Sequence, residues 1–130
     1  MALRVEIDVK KWRGKVLNYR HKVHSRVEDE IKAAAFEADR EAKRGAPVDT
    51  GRLQASIHPE FSGTTGYQYN DDVGNSFDGK FQEKAEPFQA IVGSNVEYAK
   101  DVEDRTPFLE PAVRLAAINL RRRLSKVFTG

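Results

Sequence analysis

The sequence predicts an α+β fold in which a long N-terminal helix and a C-terminal helix pack on a small, mainly antiparallel sheet. Three observations support this prediction. Apolar residues recur every three or four positions from residue 15 to 44 and again from 108 to 127, which is typical of amphipathic helices. Short runs with the alternation or β-branched content of strands lie before and between them, separated by Gly, Asn and Asp. Helices that flank a group of strands, without regular alternation, favour the α+β class.

Length and composition fit a single domain over residues 1–130 with a modest core. Charged residues make up 32% of the chain and the mean hydropathy is -0.65, so much of the surface is expected to be solvated helix or loop. The absence of cysteine excludes disulfides, thiolate metal sites and cysteine nucleophiles. The N-terminus does not resemble a signal peptide, and no apolar run approaches the ~20 residues that span a bilayer. We therefore expect a protein that is made in the cytosol and stays there unless it leaves inside a larger particle, without membrane contact.

A change in hydrophobic period marks the N-terminal elements. Residues 3–9 alternate apolar and polar and are predicted to form a strand, followed by a turn at 10–14. Residues 15–44 carry one narrow apolar stripe that thins to alanine, which predicts a helix that other elements approach closely. Pro47 cannot continue this helix, so residues 46–57 are predicted to connect it to a strand.

The middle of the chain is predicted to form two paired strands with a long insert between them. The strands cover residues 55–61 and 88–94, and Ile57 and Phe61 are expected to point inward. The insert, residues 62–87, is rich in Gly, Asn, Asp and aromatic residues. We expect either a self-contained hairpin or a mobile loop that becomes ordered against a partner, because disordered linkers are normally poor in aromatic residues.

The C-terminal part is predicted to end in a helix that packs on the sheet. Residues 95–104 suit either a helical turn or a bent strand. Pro107 and Pro111 bracket the start of a helix over residues 108–127, since proline is tolerated in a first helical turn.

No constellation of residues predicts an enzyme or a cofactor. His21 and His24 are three positions apart on the predicted helix, but no third ligand is near and the basic neighbours would repel a cation, so we expect no metal site. Ser56 and Ser94 have no motif-level partners for a nucleophilic triad, and no glycine-rich phosphate loop follows a strand. An uncharacterised hydrolase therefore has no support in the sequence.

The charges are distributed unevenly along the chain. Acids concentrate between residues 71 and 104, and bases between 10 and 26 and near the C-terminus, which predicts a basic face or complementary ends that meet in an assembly. We interpret the acids from 97 to 104 first as solvated, then as a subunit salt-bridge surface, and last as an acid–base pair. We interpret the basic residues first as a solvated or subunit-contact face, and second as a surface that faces nucleic acid. These residues are Lys10, Lys11, Arg13, Lys15, Arg20, Lys22, Arg26, Arg121, Arg122 and Arg123.

Three segments of the chain, taken in order, carry a resemblance to a known family. They are APVDTGRLQASI at 46–57, VGSNVEYA at 92–99 followed by Val102 and Glu103, and TPFLEPAV at 106–113. Together they resemble the minor tail or tail-completion (neck) proteins of long-tailed bacteriophages and prophages, over roughly residues 15–127. The motif residues that carry the resemblance are Pro47, Asp49, Thr50, Gly51, Leu53, Ser56, Gly93, Tyr98, Ala99, Glu103, Thr106, Pro107, Phe108 and Pro111.

The resemblance implies a non-enzymatic structural protein of the virion, assembled in the bacterial cytoplasm and located in the tail or neck. It implies that the protein completes the tail and helps head–tail joining through ring assembly, with a hexamer expected for a tail of that symmetry. The implied partners are further copies of the chain, the tail terminator, tail tube or neck proteins, and non-specifically bound DNA in the channel. The alternative is a small, basic, non-specific nucleic-acid-binding domain outside any phage.

Overall fold

The computed structural model describes residues 3–8, 21–47 and 51–129, and it confirms the predicted α+β class. The elements, in chain order, are β1 (Leu3–Asp8), α1 (His21–Gly45), α2 (Arg52–Ser56), β2 (His58–Phe61), β3 (Gln68–Asn70), β4 (Ser76–Asp78), β5 (Gln89–Ser94), α3 (Ala99–Arg105) and α4 (Leu109–Thr129). The turn predicted at 10–14 and the first residues of the predicted long helix, 15–20, lie outside the described residues.

Strand β5 is the centre of a three-stranded antiparallel sheet, with β1 on one side and β2 on the other. Ile7 of β1 and Phe61 of β2 both lie opposite Ala90, so these three residues share one face of the sheet. Glu60 and Ile91 lie opposite each other and share the other face. The pairing predicted between the segments around 58–61 and 89–94 is therefore confirmed.

Helices α1 and α4 cover the first face of the sheet. They run antiparallel, since Asn119 donates a hydrogen bond to Glu37 at 2.5 Å while Arg123, further along α4, contacts the earlier Glu30. The alanine-rich side of α1 is buried, which permits the close approach that the sequence predicted. The core between the helices and the sheet contains Ile7, Val27, Ile31, Ala34, Ala38, Ala42, Ala90, Val92, Ala116, Leu120 and Leu124.

The insert covers the second face of the sheet, and its strands β3 and β4 form a hairpin. Ile91 is buried there with Phe81 and Ala85 in a small cluster of its own. The Tyr67 hydroxyl donates a hydrogen bond to the carbonyl oxygen of Ala55 at 2.7 Å, which ties the insert to α2. Of the two forms expected for this segment, the structure contains the self-contained hairpin.

One boundary prediction was wrong, because a short helix replaces the start of the strand predicted at 55–61. Gly51, at φ 77°, turns the chain into α2, and Ser56 closes that helix by donating a hydrogen bond to the carbonyl oxygen of Leu53 at 2.6 Å. Extended backbone resumes at Ile57, which is fully buried as predicted. The strand proper begins at His58, and Phe61 is half-buried against the core.

Helices form in both segments of the C-terminal part of the chain. The segment for which a helical turn or a bent strand was expected contains α3, and the predicted terminal helix is α4. Within the described residues, no helix is both long enough and apolar enough to cross a membrane.

Candidate functional site

The three motif segments, which are far apart in sequence, meet at one end of the fold, and we call their described residues the motif corner. A chain of hydrogen bonds joins the first segment to the second. The Val96 amide donates to the Ser94 hydroxyl at 3.1 Å, and the Ser94 and Ser56 hydroxyl oxygens lie 2.6 Å apart. Because the Ser56 hydroxyl donates onward to the carbonyl oxygen of Leu53, the Ser94 hydroxyl must donate to Ser56. Both serines are fully buried, so each bond replaces lost hydration.

Arg52 makes a second connection between the first two segments. Its two terminal nitrogens donate to the two carboxylate oxygens of Glu97, each at 3.1 Å. The guanidinium carbon also lies 4.3 Å from the centroid of the Phe77 ring, which belongs to the hairpin. Hydrogen bonds from the backbone amide of Glu97 and from Arg52 hold the pKa of the Glu97 carboxyl below its usual value. Arg52 thus links the corner to the insert.

Glu103 joins the second segment to the third by capping α4. Its Oε1 accepts hydrogen bonds from the amides of Phe108 and Leu109 at 2.9 and 2.8 Å, and its Oε2 accepts one from Glu110 at 3.1 Å. These amides lie at the helix start, where no carbonyl of the helix can accept from them. A carboxylate there is also favoured by the helix dipole. Glu103 therefore fixes where the C-terminal helix begins.

The backbone conformation at position 51, in the first segment, favours a glycine. Its φ of 77° is a left-handed conformation that side chains rarely adopt, and a Cβ atom there would lie 2.1 Å from Oδ1 of Asp72. The Asp72 side chain at the hairpin tip therefore occupies the space that a Cβ atom at position 51 would need.

An open cavity of about 720 Å³ lies between the motif corner and the hairpin. All three motif segments contribute to its lining, through Pro47 and Leu53, Tyr98 and Val102, and Thr106, and the hairpin contributes Phe77. Within the described residues, no group of three or more His, Cys, Asp or Glu side chains is arranged to hold a metal ion. Aromatic and aliphatic side chains stand beside the guanidinium of Arg52, a combination that is common at protein interfaces.

A buried charged network on the second face of the sheet was not anticipated from the sequence. Nδ1 of His58 lies 2.8 Å from the carbonyl oxygen of Ser56 and therefore carries a proton, while Nε2 lies 2.7 Å from Oε2 of Glu60. Glu60 also accepts a hydrogen bond from the Phe81 amide at 2.9 Å, and its Oε1 lies 2.8 Å from Nζ of Lys80. The His58 ring, the Lys80 ammonium group and the Phe81 amide thus converge on one buried carboxylate.

Aromatic rings enclose the histidine of this network. The His58 ring stacks on Tyr67 at a centroid distance of 3.7 Å and on Phe81 at 4.4 Å. Since Tyr67, Lys80 and Phe81 all belong to the insert, the network attaches the insert to β2. The alternation of His58 and Glu60 on one strand face, followed by an aromatic-rich insert, is the signal in the sequence that could have suggested it.

The sequence profile of one protein family, described as "Bacteriophage HK97-gp10, putative tail-component", matches residues 10–104. The chain belongs to this HK97-gp10-like family. The resemblance to phage tail proteins found in the sequence is thereby confirmed, and the family's role is that of a structural component of the phage tail. A search of the curated proteins and a search of the solved structures returned no match.

The motif residues of this tail component differ in burial, and Gly51, Tyr98 and Glu103 are half-buried. Leu53, Ala99 and Phe108 lie in the core, and Gly93 is buried in β5 opposite His58. The exposed motif residues are Pro47, Thr106, Pro107 and Pro111. Asp49 and Thr50 lie outside the described residues.

The structure describes the side chains of four of the ten basic candidates, Arg26, Arg121, Arg122 and Arg123. Arg26, Arg121 and Arg122 are exposed, whereas Arg123 contacts Glu30 and lies within the seam between α1 and α4. The side chain of Lys22 is not described, and Lys10, Lys11, Arg13, Lys15 and Arg20 lie outside the described residues.

Proposed function

We propose that this tail component is a non-enzymatic virion protein that completes the tail at the head–tail junction and assembles there as a closed ring. Its partners in this proposal are neighbouring copies and the tail terminator, tail tube or neck proteins. The observation that supports the proposal most strongly is that side chains of the family motifs hold the fold together. Ser56, Ser94, Arg52, Glu97 and Glu103 all hold segments of the chain together, which is the task of a structural protein.

Rigidity of the motif corner suits a ring component. A subunit in a closed ring must present two surfaces at a fixed angle, because a small angular error accumulates around the ring and prevents closure. The bidentate Arg52–Glu97 pair and the Glu103 cap fix α3, α4 and the hairpin relative to the sheet. The open cavity between them offers partners a surface of preformed shape.

DNA contact in the channel is a secondary proposal, which rests on charge distribution alone. The exposed Arg26 belongs to a stretch, residues 10–26, that contains seven Lys or Arg and no acid. Binding through such a face is expected to be independent of sequence and to weaken steeply as salt is raised. The variant with Lys22→Glu and Arg26→Glu should then bind DNA more weakly in low salt, and unchanged binding would remove this proposal.

The experiment that tests the main proposal is deletion of the coding region in the phage or prophage, with electron microscopy of the resulting lysate. We expect filled heads that are separate from unjoined or abnormal tails, and rescue of joined particles by the wild-type chain supplied in trans. Normal, infectious particles from the deletion would contradict a role in tail completion.

A further inference from the structure

The outward face of α4 combines exposed apolar and basic side chains. Leu115 and Ile118 are 46% and 47% exposed, and they share one side of the helix because they are three positions apart. Arg122 follows Ile118 by one helical turn and is exposed beside Arg121. From residue 111 to 130 the sequence contains no acid, and its basic residues are Arg114, Arg121, Arg122, Arg123 and Lys126.

The tip of the hairpin has the opposite charge and a matching apolar side chain. Val73 is 81% exposed, and Asp72 beside it is exposed as well. From residue 62 to 79 the sequence contains no base, and its acidic residues are Asp71, Asp72 and Asp78. Asp71 has a pKa below its usual value, chiefly because of its hydrogen bond with the Asn75 side chain. The tip is thus a negatively charged surface with an apolar centre.

These two surfaces belong to elements that pack on different parts of the protein. Helix α4 packs against α1 and β1, whereas the hairpin strand β3 packs against α2. One chain is therefore expected to be unable to satisfy both surfaces by itself. Contact between them in neighbouring copies is head-to-tail, and a repeated head-to-tail contact produces a ring when its rotation closes.

We propose that the hairpin tip of one copy docks on the outward face of α4 in the next copy. In this contact Val73 packs against Leu115 and Ile118, and the acids of the tip face Arg121 and Arg122. Apolar contact at the centre with complementary charges at the rim is the usual composition of a specific protein interface. This inference rests on the proposed ring assembly and specifies the two surfaces that would form it.

Reversal of the charges on the two surfaces tests whether this contact is needed for infection. A chain with Arg121→Glu and Arg122→Glu, and a second chain with Asp72→Lys, are each supplied to the deletion phage. We expect each to lower the infectious titre by about tenfold or more, and a chain that carries all three changes to recover most of the loss. Arg40→Glu with Arg44→Glu, on exposed side chains of α1, provides the same change of charge as a control. The proposal would be overturned if both variant chains left the infectious titre unchanged. It would also be overturned if the loss of titre in the combined chain equalled the sum of the two separate losses.

Cysteine cross-linking tests the same contact in particles, since the chain has no native cysteine. We expect a chain with Val73→Cys and Ile118→Cys to form a ladder of cross-linked copies in purified tails after oxidation. Either single variant should give no ladder. Incorporated chains that do not cross-link between these positions would overturn the docking surfaces alone. Absence of the chain from tails would instead contradict the proposed tail location.

Discussion

Arg52 and Glu97, 45 positions apart in the chain, form a bidentate ion pair in which both nitrogen–oxygen distances are 3.1 Å. The side chain of Glu97 is 68% exposed and that of Arg52 only 24%. The pair therefore stands at the surface, while the arginine also packs on Phe77. Its main effect is to hold the first two motif segments and the hairpin in one arrangement.

Replacement of Arg52 should cost more stability than replacement of Glu97. Arg52→Lys keeps the charge but loses the bidentate geometry and the contact with Phe77, so we expect a loss of about 1–2 kcal/mol in the free energy of unfolding. Glu97→Gln should cost less than about 1 kcal/mol, because exposed ion pairs are weak. Urea unfolding measures both, with Arg105→Lys on the same cavity as the control. Equal effects of the two changes would show that the contact with Phe77 adds nothing.

Loss of the Glu103 carboxylate should weaken the start of α4. Glu103→Ala leaves three backbone amides without their acceptor, and we expect a loss of about 1–3 kcal/mol. Glu103→Gln should lose less stability than Glu103→Ala, because the glutamine amide still has one acceptor oxygen. Asp104→Ala, at an exposed neighbouring position, is the matched control. Hydrogen exchange should show faster exchange of the Phe108 and Leu109 amides in the alanine variant, and unchanged exchange would argue against the cap.

Substitution of Gly51 should be costly for two separable reasons. We expect Gly51→Ala to destabilise by about 1–3 kcal/mol, from the left-handed backbone and from the displacement of the Asp72 carboxylate. In an Asp72→Ala background this displacement is not needed, and the same change should cost only about 1–2 kcal/mol. Gly66→Ala, which has open space around it, serves as the control. A thermal-unfolding double-mutant cycle without coupling would contradict the observed approach of the hairpin tip.

Removal of Glu60 should be the most damaging change in the insert network. Glu60→Ala leaves His58 and Lys80 without their buried carboxylate, and we expect a loss of about 3–5 kcal/mol. The combination of Glu60→Leu with His58→Phe should cost less than the sum of its parts, since it leaves no unpaired partner in that pair. Glu86→Ala, an exposed acid of the same insert, should be nearly neutral. Additive losses in the combined variant would contradict a coupled pair.

The Asp39 carboxyl should make stability depend on pH. Burial raises its pKa in the folded protein, and the neighbouring Lys43 partly offsets this. A raised pKa means that the ionised form is disfavoured by folding, so this group's cost is present at neutral pH and disappears as pH falls through the folded pKa. We expect the stability of Asp39→Asn relative to wild type to decrease from pH 7 to about pH 4. A relative stability that increases on acidification would contradict the shift.

Hydrophobic period alone predicted much of the fold. The narrow stripe on α1 and the apolar face of α4 each bury one side of a helix, and the apolar run of β5 is buried on both faces of the sheet. The spacing of apolar residues in the sequence indicates burial of both kinds. Helix α2 was missed because it has only five residues, too few for a period to be recognised. Its start depends on the left-handed conformation of Gly51, beside which lies the side chain of Asp72, a residue distant in sequence.

The sequence identified the motifs of the candidate site, but it did not predict how their residues are arranged in space. The sequence analysis identified Pro47, Leu53, Tyr98 and Thr106 as members of its motif segments. Their position around one cavity depends on the tertiary fold, which brings these segments together. The network of His58 with Glu60 was not predicted, because charged residues on a strand are normally interpreted as solvent-facing. Its partners come from the insert, whose conformation the sequence left open between two alternatives.

The most direct test of the account is a cryo-electron microscopy reconstruction of the mature particle at side-chain resolution. The account predicts a ring of this chain at the head–tail junction, with the motif corner folded as described and with the tail proteins against it. Density for this chain at the tail tip, or its absence from particles that are nevertheless joined and infectious, would contradict the central claim.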